Sequence, residues 1–234
     1  MTARLYGKTA LVTGGGSGFG AGIARRFAEE GARLLVVDIN ADAAAAVAAE
    51  IGAESCGADV ADATSVAAMA VLAKEHLGAL DILVNNAGVT HPSGPLEGVD
   101  EDAFDRVMAV NNKAVYLAAR AFVPAMKAAG KGCILNIAST AGVSPRPNLS
   151  WYNASKGWMI TATRAMAVEL APYGLRVNAV NPVAGETPLL ASFMGEDTPE
   201  IRAKFLSTIP IGRFSQPEDI ANAALYLCSD EASM

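Results

Sequence analysis

The stretch Thr13-Gly14-Gly15-Gly16-Ser17-Gly18-Phe19-Gly20 follows directly on a short apolar run, Thr9–Thr13, and leads into a segment with helical periodicity. A glycine-dense turn between a strand and a helix lets backbone N–H groups approach a pyrophosphate at the positive end of the helix. Glycines also serve tight turns that bind nothing, so the loop needs a second signal. That signal is Asp38, which ends the next apolar run twenty residues after Gly18, where a dinucleotide fold places an acid on the adenosine ribose.

Before and after this loop, short apolar runs alternate with helix-period segments along the whole chain. The predicted strands are Thr9–Thr13, Arg33–Asp38, Glu54–Gly57, Leu80–Asn85, Cys133–Ser139 and Leu175–Asn181. The predicted helices are Gly18–Glu30, Ala41–Ile51, Asp62–Leu77, Glu101–Ala129, Asn153–Ala171 and Pro217–Ser229, with Asn40 and Asp62 as N-caps and Gly31, Gly52 and Gly78 as stops. This alternation predicts an α/β fold with a doubly wound parallel sheet, a Rossmann fold, as a single domain over residues 1–234.

Composition narrows the possible partners. Hydrophobic residues make up 52% of the 234 residues and charged ones 18%, which predicts extra buried surface, such as between subunits. The net charge of −6 and the absence of a basic run argue against a nucleic-acid partner. Cys56, Cys133 and Cys228 are scattered and distant in sequence from His76 and His91, so no metal site is expected. Without a signal pattern or an apolar stretch of about 18 residues, we expect a cytoplasmic protein with no membrane contact.

Asp38 also predicts which dinucleotide is bound. A carboxylate at this point hydrogen-bonds the ribose 2′-hydroxyl and repels a 2′-phosphate. The flanking Ser17 and Ile39 are not basic, so the sequence favours NAD over NADP. The alternative is that Asp38 only begins the turn into Asn40.

A second group of residues predicts acid/base chemistry. Tyr152 and Lys156 are four residues apart, on one face of a predicted helix, and Ser139 lies thirteen residues before Tyr152 at the end of a strand. Hydride transfer at a carbinol carbon needs a proton moved at the oxygen, and a neighbouring cation lowers the cost of ionising a phenol. We therefore assign Tyr152 as the general base in oxidation and acid in reduction, Lys156 as its cation, and Ser139 as a neutral donor to the substrate oxygen. The alternatives are a half-buried packing tyrosine and an ordinary turn serine.

With these residues in place, the chain resembles the short-chain dehydrogenase/reductase family over essentially its whole length. The matching motifs are Thr13-Gly14 with Gly18 and Gly20, Asp59-Val60, Asn85-Asn86-Ala87-Gly88, Val110-Asn111, Ser139, and Tyr152 with Lys156. Each motif alone is weak, and together they are specific.

The resemblance implies further roles. Asn111 would complete a catalytic tetrad with Ser139, Tyr152 and Lys156, with protons passing from the lysine through water to solvent. Asp59 would accept from the adenine amino group, although it could simply serve a helix entry, and Lys156 would also reach the ribose. The implied cofactor-binding residues are Gly14, Ser17, Gly18, Phe19, Gly20, Asp38, Asp59, Val60, Asn86, Ala87, Gly88, Tyr152, Lys156, Pro182 and Thr187. Val183 stands where the family usually has glycine, so the backbone there cannot take a positive φ as freely, which bears on the contact of Thr187.

The segment at about residues 187–213 is expected to form a substrate lid. Its apolar residues, Pro188, Leu189, Leu190, Phe193 and Met194, favour an apolar or aromatic substrate body, or merely pack on the core, and the charged pair Glu196-Asp197 follows them. Pro92, Val143, Pro145, Trp151 and His91 are expected to line the remaining wall. Arg146 is the one arginine aimed there, to bind an acid group or to face solvent.

The function this sequence predicts is NAD-dependent hydride transfer with a secondary alcohol/ketone or an aryl alcohol/aldehyde pair. Alternatives are a non-catalytic NAD-binding redox sensor, which would be expected to have lost one of the catalytic residues, and a 3-ketoacyl-thioester reductase. Helices that are apolar on two faces, as in Asn153–Ala171, predict a homodimer, which the resemblance implies is a two-fold four-helix contact. The family's seventh edge strand is absent from the sequence, so a tetramer is expected only if the chain continues past residue 234.

Overall fold

The structure is a computed structural model that describes residues 3–195 and 198–233. The strands are β1 (Thr9–Thr13), β2 (Arg33–Asp38), β3 (Glu54–Gly57), β4 (Ile82–Asn85), β5 (Gly132–Ile137) and β6 (Leu175–Val180). Within the described ranges they form one parallel sheet in the order β3-β2-β1-β4-β5-β6. The sequence order reverses between β1 and β4, and this confirms the doubly wound α/β fold.

The helices that cover the sheet are α1 (Gly18–Glu29), α2 (Ala41–Ile51), α3 (Ala63–Leu77), α4 (Glu101–Met108), α5 (Ala114–Ala129), α6 (Ser150–Leu170), α7 (Leu189–Met194), α8 (Pro199–Leu206) and α9 (Pro217–Cys228). Asn40 and Asp62 cap α2 and α3 through their side chains. No helix in the described part of the chain is both long enough and apolar enough to cross a membrane.

The core is divided by the sheet into two layers, because alternate strand residues point to opposite faces. On one face, Val12 and Val36 pack with Phe27 of α1 and Leu225 of α9. On the other face, Leu11 and Leu35 pack with residues of α3, α5 and α6, including Met69, Phe122 and Leu170. Strands buried on both faces read as continuous apolar runs, which is why they could be found from the sequence.

Two predicted helices differ most from the structure, while strand ends shift by up to two residues: β4 begins at Ile82 rather than Leu80, and β5 ends at Ile137 rather than Ser139. The long helix predicted over Glu101–Ala129 is divided by a π-helical turn at Ala109–Lys113, which separates α4 from α5. The extra residue in this turn lies where the side chain of Asn111 is tied to Val89 and Ser155, so tertiary hydrogen bonds override the regular helix. The helix α6 begins three residues earlier than predicted, at Ser150, and it therefore includes Tyr152.

The segment predicted as a lid contains two short helices, α7 and α8. Leu190 and Met194 of α7 are buried together with Ile209 and Phe214, so part of the apolar segment forms a small core of its own. The charged pair Glu196-Asp197, which the sequence places in this segment, lies outside the described residues.

Candidate functional site

A cavity of about 460 Å³ opens at the carboxyl ends of the strands, between β1 and β4, where the strand order reverses. This is the place where open α/β sheets bind ligands. Most of the residues predicted for the site line it: Gly14, Ser17, Gly18, Phe19, Asp38, Asp59, Val60, Asn86, Ala87, Gly88, Ser139, Tyr152, Lys156, Pro182 and Thr187. Gly20 and Asn111 are not among the lining residues: Gly20 packs closely against the Gly14 carbonyl, and Asn111 is hydrogen-bonded to Val89.

The glycine loop is pressed against the loop that follows β4. A Cβ on Gly14 would lie 2.9 Å from the Cα of Ala87, and a Cβ on Gly20 would collide with the carbonyl of Gly14. The Asn86 side chain joins the two loops by donating to the carbonyls of Thr13 and Gly14, at 2.9 and 3.0 Å. The loop therefore needs glycines for close backbone approach, and it presents the N-terminus of α1 to the cavity.

Asp38 is held by two backbone donors at the mouth of the cavity. One carboxylate oxygen accepts from the N–H of Gly16 at 3.0 Å, and the other accepts from Asn40 at 3.0 Å. The second bond is the turn that the sequence offered as an alternative role, so this role and a place on the cavity wall coexist. The exposed Ile39 lines the cavity next to it.

Asp59, the acid expected on the adenine side, likewise has both a local structural role and a place on the cavity wall. Its side chain accepts from the N–H of Ala61 at 2.9 Å, and its own N–H donates to Ser65 Oγ at the start of α3. It therefore serves the entry to this helix, as the alternative interpretation expected, while it also lines the cavity with Val60.

Ser139, Tyr152 and Lys156 meet where β5 ends against α6. The Tyr152 side chain is hydrogen-bonded to Ser139, whose Oγ also accepts from the N–H of Ala141 at 3.1 Å. Lys156 Nζ donates to the carbonyl of Ile137 at 3.0 Å and lies 5.9 Å from the centre of the Tyr152 ring. A phenol, a hydroxyl and an ammonium thus face one end of the cavity.

Burial shapes the ionisation of both groups on α6. It raises the pKa of Tyr152 to about 12, an effect that the hydrogen bond with Ser139 opposes. It lowers the pKa of Lys156 to about 8, because a charged ammonium loses its hydration when it is buried. At neutral pH the tyrosine is therefore a phenol and the lysine is still mostly a cation.

The position of Asn111 is fixed by the π-helical turn. Its Nδ2 donates to the Val89 carbonyl and to Ser155 Oγ, both at 2.9 Å, and its Oδ1 accepts from the Val89 N–H at 2.9 Å. Ser155 Oγ in turn donates to the Tyr152 carbonyl at 2.7 Å. Asn111 is fully buried, so it is locally bonded rather than solvated. Both its Oδ1 and Lys156 Nζ would lie within 3.4 Å of a Cβ on Gly88, which shows how closely the missing side chain lets them approach.

The expected substrate wall needs correction. None of Pro92, Val143, Pro145, Trp151 and His91 contributes to the cavity. Val143 points to solvent, since the preceding turn packs Gly142 directly on the backbone of α6. Trp151 packs edge-on against Phe104 and donates to the Leu96 carbonyl, and His91 is buried against Pro92.

The wall is lined by Arg146, Leu189 and Phe193, three residues already named for the site from the sequence, and by Leu149 and Phe205. Phe193 packs against the Tyr152 ring with centroids 5.0 Å apart. Thr187 contacts the phosphate loop, since a Cβ on Gly18 would lie 3.1 Å from it. Val183 is not in the left-handed region, so the chain accepts it in place of glycine without strain.

Sequence reasoning missed several residues of the wall, among them Arg106, Leu149 and Phe205. Arg106 lies one helical turn before Val110, which belongs to a matching motif, so helix periodicity could have found it. Phe205 lies on α8, and no pattern in the sequence pointed to it. Ser155, which ties Asn111 to the catalytic helix, was also missed, although it lies between Tyr152 and Lys156.

The donors and shape of the cavity fit a nicotinamide dinucleotide. The glycine loop suits a pyrophosphate, and the Asp38 carboxylate suits a ribose hydroxyl. Tyr152 and Lys156 line the other end of the same cavity. Such a fold and site define a class of single-domain, nicotinamide-dependent oxidoreductases.

Comparison with known proteins gives the family. The family model described as enoyl-(acyl carrier protein) reductase matches residues 14–234. The chain is 49% identical to 4-formylbenzenesulfonate dehydrogenase of Comamonas testosteroni, over 97% of this chain and 92% of that protein. Accordingly, it belongs to the short-chain dehydrogenase/reductase family, and it is an oxidoreductase of the alcohol/ketone type.

Two solved structures resemble it closely. One is described as a 3-ketoacyl-(acyl-carrier-protein) reductase from Brucella melitensis with NADH, at 48% identity and a TM-score of 0.93, covering 98% of this chain and 94% of that one. The other is a 7α-hydroxysteroid dehydrogenase with NADH and 7-oxo glycochenodeoxycholic acid, at 40% identity and a TM-score of 0.93, covering 99% and 91%.

Proposed function

We propose that this protein interconverts an aryl or ring alcohol with its carbonyl compound, using NAD. The observation that carries the proposal is the meeting of Ser139, Tyr152 and Lys156 at one end of a cavity whose wall is aromatic and aliphatic. The similarity to a 4-formylbenzenesulfonate dehydrogenase supports an aryl substrate.

The proposed mechanism assigns one task to each side chain. Ser139 donates a hydrogen bond to the substrate oxygen and holds it beside the Tyr152 hydroxyl. In oxidation Tyr152, as a phenolate, removes the hydroxyl proton, and in reduction it returns a proton to the carbonyl oxygen. The bound nicotinamide supplies the hydride chemistry. Asn111 keeps α6 in place through Ser155, and the free lone pair of its Oδ1 is available to a water that passes protons from Lys156.

Lys156 compensates for the cost of ionising Tyr152. Burial makes the phenolate unfavourable, as the pKa of about 12 shows, and the lysine ammonium 5.9 Å from the ring favours the anion by charge. Oxidation should therefore become faster as the pH rises, with a single deprotonation.

We also propose that NAD is preferred over NADP. The two bonds that fix the Asp38 carboxylate also keep its negative charge at the cavity wall, where it would repel a 2′-phosphate. Asp38→Ala should improve kcat/KM for NADP relative to NAD by about tenfold or more. Asp42→Ala, which removes an exposed acid from the first turn of α2, is the matched control and should leave the ratio unchanged. Equal efficiency of the wild type with both cofactors would contradict the proposal.

A substrate panel tests the proposed function directly. Aryl alcohols, cyclic secondary alcohols and 3-hydroxyacyl thioesters are compared by the absorbance of reduced nicotinamide. The thioesters represent a second candidate, a 3-ketoacyl-thioester reductase, which the similarity to the Brucella melitensis protein favours. Turnover confined to thioesters would select that candidate, and NAD binding with no turnover of any class would favour a redox sensor.

We further propose a homodimer through α5 and α6. Tyr116 on α5 and Trp158 and Val168 on α6 are exposed apolar side chains, with Val168 79% exposed. Burying them against a second copy would remove this surface from water. Light scattering should give twice the chain mass, and Val168→Lys should shift the protein toward monomer.

A further inference from the structure

Arg146 places a positive charge beside the apolar lid residues of the cavity wall. It lines the same cavity as Tyr152, together with Leu149, Phe193 and Phe205. No carboxylate among the described residues forms an ion pair with it, whereas Arg202 in the neighbouring α8 pairs with Glu186 at 3.0 Å. A guanidinium next to a ligand cavity without an acidic partner can bind an anion there.

Contacts at both ends hold Arg146 in place. Its carbonyl accepts from Asn153 Nδ2 at 2.7 Å, which ties its backbone to the first turn of α6 beside Tyr152. Its guanidinium lies 4.9 Å from the centre of the Phe205 ring, and one of its nitrogens donates to Thr208 Oγ1 at 3.0 Å. Because the hydroxyl takes one of the five N–H donors, the others remain available to a ligand.

We infer that Arg146 binds an anionic group of the substrate, a carboxylate or a sulfonate, while the apolar wall holds the ring that carries it. The inference rests on the proposed function, since it needs an alcohol whose reacting carbon reaches Tyr152. A carboxylate or a sulfonate offers two oxygens to two parallel N–H donors of a guanidinium, so this contact orients the ring as well as attracting the charge. Arg146 is then a specificity-determining residue and takes no part in proton transfer.

A matched pair of substrates separates charge recognition from packing. 4-(Hydroxymethyl)benzoate and its methyl ester share the ring and the reacting carbon, and differ in charge at the far end. In the wild type, kcat/KM should be higher for the acid. Arg146→Gln should lower kcat/KM for the acid about 10- to 100-fold and change that for the ester by less than about threefold.

Three controls distinguish a specific role of Arg146 from a general effect of charge or folding. Lys204→Gln removes an exposed positive charge from α8 and should leave the acid-to-ester ratio unchanged. Arg146→Lys keeps the charge without the paired donors, and should retain part of the preference for the acid. NAD affinity of each variant, measured by fluorescence titration, should match the wild type and thereby shows that the variants are folded.

Binding without turnover supplies a second measurement. Benzoate should inhibit oxidation of the ester competitively, and its inhibition constant should rise about tenfold or more in Arg146→Gln.

Results that contradict the inference can be told apart from results that contradict the proposed function. If the wild type oxidises both substrates equally well and Arg146→Gln affects them equally, Arg146 only supports the lid, and the inference is wrong while the proposed function stands. If charge selectivity is lost in Arg106→Gln instead, the anion site is assigned to the wrong arginine. If the wild type oxidises cyclic alcohols but no aryl alcohol of either charge, the inference is wrong while the proposed function stands, and if it oxidises no aryl or ring alcohol at all, the proposed function itself fails.

Discussion

The glycines of the phosphate loop and those of the lid serve different purposes. In the loop, a Cβ on Gly14 would lie 2.9 Å from Ala87, and one on Gly20 would collide with backbone. In the lid, Gly195 and Gly212 have positive φ angles of 77° and 75°, yet a Cβ on either would meet nothing within 4 Å. The loop glycines permit close packing of backbone on backbone, whereas the lid glycines only permit a turn.

This difference explains what each half of the site can specify. The half of the cavity proposed to hold the cofactor is lined in part by glycines, Gly14, Gly18 and Gly88, which let a ligand approach the backbone. The lid half presents side chains, such as Phe193 and Arg146, whose exchange would alter the cavity without disturbing the sheet. Cofactor binding should therefore be sensitive to single methyl groups, and substrate choice to side-chain chemistry.

The largest effect is expected at Tyr152, where the two halves meet. Tyr152→Phe removes the proton carrier and keeps the ring, so kcat should fall about a thousandfold or more while NAD affinity changes little. Steady-state kinetics and a fluorescence titration with NAD measure the two quantities. Activity within tenfold of the wild type would place the acid/base group elsewhere.

The next effect tests the close packing of the cofactor half. Gly20→Ala places a methyl group against the Gly14 carbonyl and the Asn86 side chain, and overpacking of this kind costs about 1–3 kcal/mol. Urea unfolding should show the loss of stability, and NAD affinity should fall with it. Gly98→Ala is the matched control, because its Cβ would meet nothing within 4 Å and its φ is not positive. Equal behaviour of the two variants would remove the packing argument.

The same difference accounts for what could be predicted from the sequence. The parallel, doubly wound sheet follows from buried strands with continuous apolar runs, such as Leu34 to Val37, that alternate with helices. Asp38 and the phosphate loop are recognisable because their spacing reflects backbone geometry. The wall was assigned wrongly at Val143 and Trp151, and Phe205 was missed, because loop side chains take their directions from tertiary contacts that have no sequence period. The π-helical turn at Asn111 was missed for the same reason.

A pH-dependent effect on stability is expected from Lys156. Burial lowers its pKa from 10.5 to about 8, so between these values the unfolded chain binds more protons, and wild-type stability rises with pH across that window. Below pH 8 the full cost of burying the charge is present. Lys156→Met removes this cost, so without cofactor it should be more stable than the wild type by about 2 kcal/mol at pH 7, after allowance for the lost bond to Ile137.

Urea unfolding of the cofactor-free protein at pH 7, 9 and 10.5 measures this effect. The advantage of Lys156→Met should shrink as the pH rises and be gone by about pH 10.5. Lys204→Met, on an exposed position of the lid, should show no such trend. The raised pKa of Tyr152 acts mainly above pH 10, so the decline between pH 7 and 9 is the part of the trend that belongs to Lys156 alone. If the stability advantage of Lys156→Met grew with pH, the charged form of Lys156 would not be destabilised by burial in the folded protein.

The smallest effect is expected in the lid, at Phe193. Its ring packs against Tyr152 at 5.0 Å, with the two planes at 65°, and such a pair contributes about 0.5–1.5 kcal/mol. Phe193→Ala should therefore raise KM for aryl alcohols about two- to tenfold and leave NAD affinity unchanged, because no part of the glycine loop depends on it. The variant also exposes Tyr152, so the pKa of the phenol should fall toward its ordinary value, and the rise of kcat with pH should begin at lower pH. Phe193→Leu keeps an apolar cover and should shift the pH profile less. A loss of NAD affinity as large as the loss in KM would show that the lid and the cofactor half are not independent.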